Sequence, residues 1–507
     1  MDKEKLIVVF GESHFITKNG LLKGLENRKT KILNLALGGT STLQSIYELK
    51  RYYEKIKEAD LIIIGSNTCD CMHYHYYKTN FVRDIEWFYK ELYDLNTRIL
   101  CIINPTFQDR LNLSLVAAVI NTHKKNCLKY GFNCIDLHGY YYEKELVDFH
   151  REKDGEHDFS FIMRELGKNI INNLNYLIKP INNIKFNNKN PNFYICKRND
   201  FSIFKEINSL LVIQKQNSLY DEEILNLKNN MLLKIIGYEN CTLLGIHYWG
   251  MEGTIVFEKE NSKNYLSFHT IHNHFRDLSN FDIKISDDLN VYMKDSSSIG
   301  LISFLLVEDF KNFFITFEDI LYLSKQDVVI PNKYNFNHLI PPICLYKEII
   351  NEYCSIVIPR KLEKIQIQLS EASNRLYRIE LDKNKLSFQA KYGTAKSRIQ
   401  NQLSYKLGQA MIVNSKSILG YMRMPFVLSY IKDQHTQEQK IYQEKIKKDP
   451  SLKLPPLESY PDYQEALKEK ECLTYKLGQA LIEANKTWYG GGYIKLLFEV
   501  RKLKKGN

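Results

Sequence analysis

At 507 residues, with 44 % hydrophobic and 25 % charged residues, the chain has the make-up of a globular protein of about three domains. No run approaches the roughly 20 apolar residues of a membrane span, and the ten cysteines are scattered without framework spacing, which fits reduced thiols in a cytoplasm. The net charge of +11 admits an anionic substrate or an anionic membrane surface as partner; no arginine-rich cluster or RNA-binding aromatic motif points to nucleic acid.

Met1-Asp2-Lys3-Glu4-Lys5 leads straight into the apolar run Leu6-Ile7-Val8-Val9-Phe10, too short for the core of a signal peptide. From there to residue 177 apolar runs alternate with amphipathic ones. Strands are expected at 5–10, 30–35, 60–65, 98–103 and 132–136, and helices near 40–58, 82–94, 111–130 and 159–177. Alternation at this spacing predicts βαβ units and a parallel sheet covered on both faces. The uniformly apolar Leu61-Ile62-Ile63-Ile64 fits burial on both sides.

The first strand runs into Gly11-Glu12-Ser13-His14, and far downstream stands Asp154-Gly155-Glu156-His157. A serine hydroxyl is a poor nucleophile at neutral pH. It needs an imidazole to take its proton, and the imidazole needs a carboxylate to fix its tautomer. A serine at the carboxyl end of a parallel strand also sits where open α/β sheets bind ligands.

Two further segments follow strands. One is Asn34-Leu35-Ala36-Leu37-Gly38-Gly39-Thr40-Ser41-Thr42, the other Leu61-Ile62-Ile63-Ile64-Gly65-Ser66-Asn67. In this order the four blocks resemble those of the SGNH (GDSL-type) hydrolase superfamily, over residues 1 to about 180. Two departures stand out: Glu12 where Asp is usual, and Thr68 where Asp is frequent. The resemblance implies a flavodoxin-like three-layer α/β/α domain over 1–180, with Ser13 as nucleophile, His157 as general base and Asp154 as its orienting acid. It also implies an oxyanion hole made by the Ser13 and Gly39 amides and the Asn67 side chain, with Gly38 as the fallback for Gly39. The position of Glu12 supports the turn. His14, beside the nucleophile, is read as substrate-facing or structural.

In Cys69-Asp70-Cys71-Met72-His73-Tyr74-His75, cysteines and histidines stand at every second position, and on a strand they would share one face. Zinc sites favour Cys-x2-Cys in a tight turn, and the segment follows the Asn67 block. It is therefore expected to border the substrate pocket, with His73 as a substrate contact. No metal and no cofactor are expected.

After Lys179-Pro180 and an Asn/Lys-rich stretch, residues 190–345 carry short aromatic or alternating runs. These are Phe193-Tyr194-Ile195-Cys196, Leu210-Leu211-Val212-Ile213, the two runs 243–249 and 254–257, and Phe313-Phe314-Ile315-Thr316-Phe317. Strands at this spacing predict a mostly-β, sandwich-like domain. Trp249 beside Tyr248 is either a sugar-stacking side chain on a carbohydrate-binding face or ordinary aromatic core. His269, His272 and His274 raise the metal question again, without a carboxylate or cysteine at ligand spacing.

Residues 347–507 read as helix and contain a 70-residue repeat. Tyr405-Lys406-Leu407-Gly408-Gln409-Ala410 recurs as Tyr475-Lys476-Leu477-Gly478-Gln479-Ala480, across a linker with Pro450, Pro455 and Pro456. The chain closes on Trp488-Tyr489 and on Arg501-Lys502-Leu503-Lys504-Lys505. Basic amphipathic helices with interfacial aromatics suit an anionic membrane surface; a docked helical hairpin is the alternative. Over about the last 110 residues the tail resembles those appended to sugar transferases and related enzymes of epsilonproteobacterial capsule and lipooligosaccharide loci. Together these resemblances imply a serine enzyme that transfers or removes a small acyl or other activated substituent on a sugar hydroxyl of a cell-surface polysaccharide or its precursor. It would work in the cytoplasm, peripheral to the inner membrane. A cytoplasmic esterase of small esters and a non-catalytic glycan-binding protein are the alternatives.

Overall fold

In the computed structural model the residues described are 4–180, 184, 189–204, 212–229, 231–260, 262–294, 298–309 and 311–505. They divide into two compact units, Met1–Glu352 and Tyr353–Asn507.

Five strands open the first unit: β1 (Lys5–Val9), β2 (Thr30–Asn34), β3 (Leu61–Ile64), β4 (Arg98–Ile103) and β5 (Asn133–Asp136). All are parallel, in the order β2-β1-β3-β4-β5. Strand β3 is apolar throughout because both faces are covered. Ile62 and Ile64 belong to one buried cluster, Leu61 and Ile63 to the other. This is the flavodoxin-like three-layer α/β/α fold, whose strand order reverses between β1 and β3 and leaves a crevice at their carboxyl ends. The crossover helices include Thr42–Arg51, Phe81–Asp94 and Leu113–Tyr130, and Ser160–Asn172 follows β5, the last strand of this sheet. Leu21–Leu25, Leu137–Glu143 and Val147–Lys153 are short helices that were not foreseen, and one longer unforeseen helix bears on the site. Asn67–Tyr77 is helical, so residues two apart point in different directions and Cys69, Cys71, His73 and His75 share no face.

The second sheet of this unit is antiparallel throughout. It comprises β6 (Phe193–Cys196), β7 (Phe201–Phe204), β8 (Val212–Gln216), β9 (Asp221–Lys228), β10 (Leu232–Ile235), β11 (Cys241–Lys259), β12 (Ser262–Asp277), β13 (Asn290–Met293) and β14 (Ser298–Glu308). The runs 243–249 and 254–257 are parts of one strand, β11, continued through a register shift between Trp249 and Met251 where Gly250 has φ +71°. β11 pairs with β12 along its length and with β14 and β13 on its other edge, so the sheet closes sandwich-like over a core that includes Leu243, Phe257, Leu266 and Phe304. Residues 210 and 211 of an expected strand lie outside the described residues.

The two sheets share an interface, which is why they form one unit. Tyr47 Oη lies 2.8 Å from His247 Nδ1 and 2.6 Å from Ser303 Oγ, and Arg51 grips the Glu222 carboxylate with two guanidinium nitrogens. Leu244 and Phe275 join the core of the parallel sheet. Past β14 the chain returns to that sheet. The expected strand at 313–317 is not one: Thr316 caps the helix Phe317–Ser324 in a reciprocal box with Asp319. Asn335 then bridges to Cys134 on β5, and Phe336, Leu339 and Ile343 bury against the parallel sheet.

The second unit is helical. It holds most of the helix Ile343–Tyr392, then Ala395–Gln400, Leu403–Asn414, Ile418–Lys448, Tyr463–Glu471, Leu473–Lys486 and Gly492–Lys505. The two repeat copies lie on Leu403–Asn414 and Leu473–Lys486, which cross at their glycines. A side chain on Gly408 would overlap the Thr474 carbonyl, and one on Gly478 the Ser404 carbonyl. The repeated sequence is thus a repeated close-packing surface. Among the described residues no helix is long and apolar enough to cross a membrane.

Candidate active site

β1 ends in a turn that only glycine can make. Gly11 has φ +149°, and a side chain there would collide with the Gly65 carbonyl and the Phe15 ring. The turn delivers Ser13 as the first residue of the short helix Ser13–Ile16. Its hydroxyl meets an imidazole 144 positions away: Ser13 Oγ and His157 Nε2 are 2.8 Å apart. His157 Nδ1 lies 3.5 Å from Asp154 Oδ2, within ion-pair reach and beyond a good hydrogen bond. The Asp154 carboxylate is shared. Oδ1 accepts from the Glu156 and His157 amides at 2.8 Å each, and Oδ2 faces Lys153 Nζ at 3.0 Å. Partial burial alone would raise the Asp154 pKa, but those two amides and the lysine hold it well below the usual carboxylate range. The acid is therefore ionised, as an orienting partner of an imidazole must be.

His14 is not substrate-facing. It is 2 % exposed and packs under the site, its Nδ1 3.2 Å from Glu12 Oε1 and its ring centroid 5.1 Å from that of His157. Glu12 is buried too. Its oxygens accept from the Cys69 amide at 2.6 Å and from Asn104 Nδ2 at 2.8 Å, so it ties the nucleophile turn to the helix Asn67–Tyr77 and to the end of β4. Burial opposes charge on both groups, yet each stabilises the other's: the Glu12 pKa is lowered and that of His14 raised. Burial and the neighbouring His14 in turn push the His157 pKa down, against the pull of Asp154.

The β2 loop brings Gly38 and Gly39 beside the nucleophile. A methyl on Gly38 would sit 3.6 Å from Ser13 Cβ, and Gly39 turns at φ +71°. The Ser13 amide has no acceptor among the described residues, and the Gly39 amide faces the Cys69 sulfur. Asn67 differs. Its Oδ1 accepts from the Asn104 amide at 2.8 Å, and its Nδ2 donates to the Asn104 carbonyl at 2.9 Å and to Thr106 Oγ1 at 3.0 Å. Both amide hydrogens thus go to the β4 loop, because the N-terminal turn of its own helix holds the side chain against that loop.

Two imidazoles hold the glycine loop from outside. His73 Nε2 donates to the Gly39 carbonyl at 2.9 Å, so this buried residue contacts the protein's own backbone where a substrate contact was expected. His274, on β12, lies against the same turn, its Cε1 3.6 Å from where a Gly39 side chain would begin and its ring facing the Gly38 carbonyl; burial and His73 push its pKa down to about 4. The Gly38 carbonyl and the Gly39 N–H belong to one trans peptide and point opposite ways. Gripping the carbonyl therefore aims the amide. Asp70 completes the frame. It accepts from the Thr42 amide, from the Thr42 and Ser66 hydroxyls and from His123, at 2.7 to 3.1 Å. Neither His274 nor Asp70 stands in a motif that names this role. Asp70 in the first turn of a helix after the Asn67 block was the available signal; His274 offered none.

Trp249 faces no open surface. It is 6 % exposed and packs with Ile224, Ile302 and Tyr220, because its position on β11 points into the sheet's core. His272 is exposed, and the side chain of His269 lies outside the described residues.

Residues 324–506 match a family model described as a domain of unknown function, DUF8374. No curated protein matches the chain. Among solved structures the chain is similar to a lipase/acylhydrolase from Enterococcus faecalis, at 16 % identity and a TM-score of 0.29 over 34 % of this chain and 97 % of that one. It is also similar to an esterase from Pseudoalteromonas sp., at 11 % and 0.26 over 34 % and 94 %, and to an acetyl xylan esterase, at 14 % and 0.24 over 31 % and 87 %. At these values they are likenesses only, and the reading of the site stands on its own distances.

Proposed function

We propose that the chain is an SGNH-type serine enzyme acting on acyl esters through a covalent intermediate. The observation that carries this is the 2.8 Å contact between Ser13 Oγ and His157 Nε2 at the crevice end of β1. Ser13 attacks the acyl carbonyl carbon while His157 Nε2 takes the hydroxyl proton. The oxyanion forms against the Ser13 and Gly39 amides, donors of a kind whose loss costs about 3–4 kcal/mol each. Collapse expels the leaving alkoxide, which takes the proton back from His157. A second hydroxyl then attacks acyl-Ser13: water gives hydrolysis, a sugar hydroxyl gives transfer.

The finer reading is transfer or removal of a small substituent on a sugar hydroxyl of a cell-surface polysaccharide or its precursor. What supports it is the appended antiparallel sheet, whose β12 reaches the glycine loop, and the tail's resemblance to those of capsule-locus enzymes. An anionic membrane surface fits the C-terminal helix Gly492–Lys505, where Tyr493, Ile494, Leu497 and Phe498 are exposed beside Trp488 and Tyr489. The test incubates wild type and Ser13→Ala with an activated acetyl ester, with and without capsular oligosaccharide. Acetate release by wild type alone supports the enzyme, and acetylated oligosaccharide supports transfer. Equal release by both proteins removes the enzyme reading, and free acetate as the sole product in both tubes removes transfer.

A further inference from the structure

We propose that the helix Ile343–Tyr392 is one strand of a parallel coiled coil formed with a second copy of this chain. The helix runs for 50 residues; in the second unit Phe388 and Tyr392 near its end pack with Tyr460, and among the described residues the apolar side chains before them join no buried cluster. Leu362, Leu369 and Leu376 stand at one heptad position, and Ile358, Ile365 and Ile379 at the other. Each of the six is 45 to 67 % exposed. The alternating spacing of four and three places these six on the seam of a left-handed coiled coil, while Ile356, Ile367, Tyr377 and Leu381 are exposed outside it. From position 358 to 390 that seam is roughly 48 Å long at 1.5 Å per residue. A helix of this length with an unburied apolar stripe draws its stability from packing against a partner.

The flanking charges choose the partner and its direction. Arg375 precedes Leu376, and Glu380 follows Ile379. In a parallel, in-register pair each Arg375 faces the Glu380 of the other copy, five residues on, as such flanking positions do in parallel coiled coils. The remaining cross-strand pairs of this type join Lys361 to Gln366, Gln368 to Ser373 and Asp382 to Ser387, so no like charges meet at the flanks. Lys383, at the leucine position, faces its own copy, a single polar residue in the seam that fixes register at a cost in stability. Register also stacks leucine layers on leucine and isoleucine on isoleucine. Leucine at the first position with isoleucine at the second favours three or four strands over two, so the second copy need not be the last.

The test measures the mass of the full-length protein in solution by sedimentation equilibrium. Wild type is expected at an integral multiple of two or more of the 59.8 kDa chain, and Leu369→Glu with Leu376→Glu at one. Arg375→Glu and Glu380→Arg each place like charges in contact and are expected to weaken assembly about tenfold. The double swap restores the pair and is expected within about twofold of wild type. All four charge variants change exposed residues, so folding is not at stake. A wild-type mass of one chain overturns self-association, and a double swap as weak as the single ones overturns the parallel register.

Discussion

The parallel and the antiparallel sheet each bring an imidazole to the loop around Ser13, by different routes. His157 follows Asp154 by three residues in a short turn before the helix Ser160–Asn172, and it touches the hydroxyl itself. His274 arrives on β12, a strand of the second sheet, and meets the Gly38–Gly39 turn. Reacting groups come from compact local motifs, whereas the groups that aim them come from far along the chain. A site of this kind can keep its chemistry while its supports are replaced, because only the former are tied to fixed short spacings.

The sharpest way to break the comparison is to ask whether the antiparallel sheet serves the site or merely packs. Trp249→Ala empties part of a small core cluster and is expected to lower unfolding stability by about 3–5 kcal/mol, with the KM for a simple ester unchanged. Denaturant titration and steady-state kinetics measure the two, and a raised KM at intact stability would return the ring to the substrate. Asp154→Asn is expected to reduce kcat about a hundredfold. That is less than the roughly ten-thousandfold of a tightly bonded triad acid, because the Asp154–His157 contact is 3.5 Å and the carboxylate is shared with two amides and Lys153.

His274→Ala should lower kcat about tenfold and leave KM alone, since the Gly39 amide loses its orientation and the substrate loses no contact. An unchanged kcat would reduce the second sheet to packing. The smallest effect concerns pH. A general base works when neutral, so the acid limb of kcat/KM is expected to turn below the ordinary histidine value of 6.5, as burial and the His14 charge dictate. Removing that cation with His14→Gln favours protonated His157, so the midpoint rises. A midpoint that falls or stays would remove His14 from the electrostatics of the base.

Much of the parallel sheet was legible because its strands are short apolar runs between amphipathic helices, and Gly11 and Ser13 sit in a turn that dictates its own residues. Ser13 and His157 could be paired from motif order alone. The helix Asn67–Tyr77 was not legible, since Cys and His at alternate positions imitate a strand. Trp249 was ambiguous for a different reason: an aromatic strand looks the same whether its rings meet sugar or Ile224 and Ile302. The engagement of Asn67 by Asn104 and Thr106, and the grip of His73 and His274 on the glycine loop, are contacts between residues 34 to 236 positions apart. No local pattern encodes those.

The central claim is that the Ser13 hydroxyl is activated by His157, and a fluorophosphonate probe followed by peptide mass spectrometry tests it directly. The phosphonyl adduct, formed with loss of fluoride, is expected on the peptide containing Ser13 in wild type, and at least a thousandfold more slowly in His157→Ala. Labelling of Ser13 at the same rate in both proteins, or no labelling of wild type, would contradict the account.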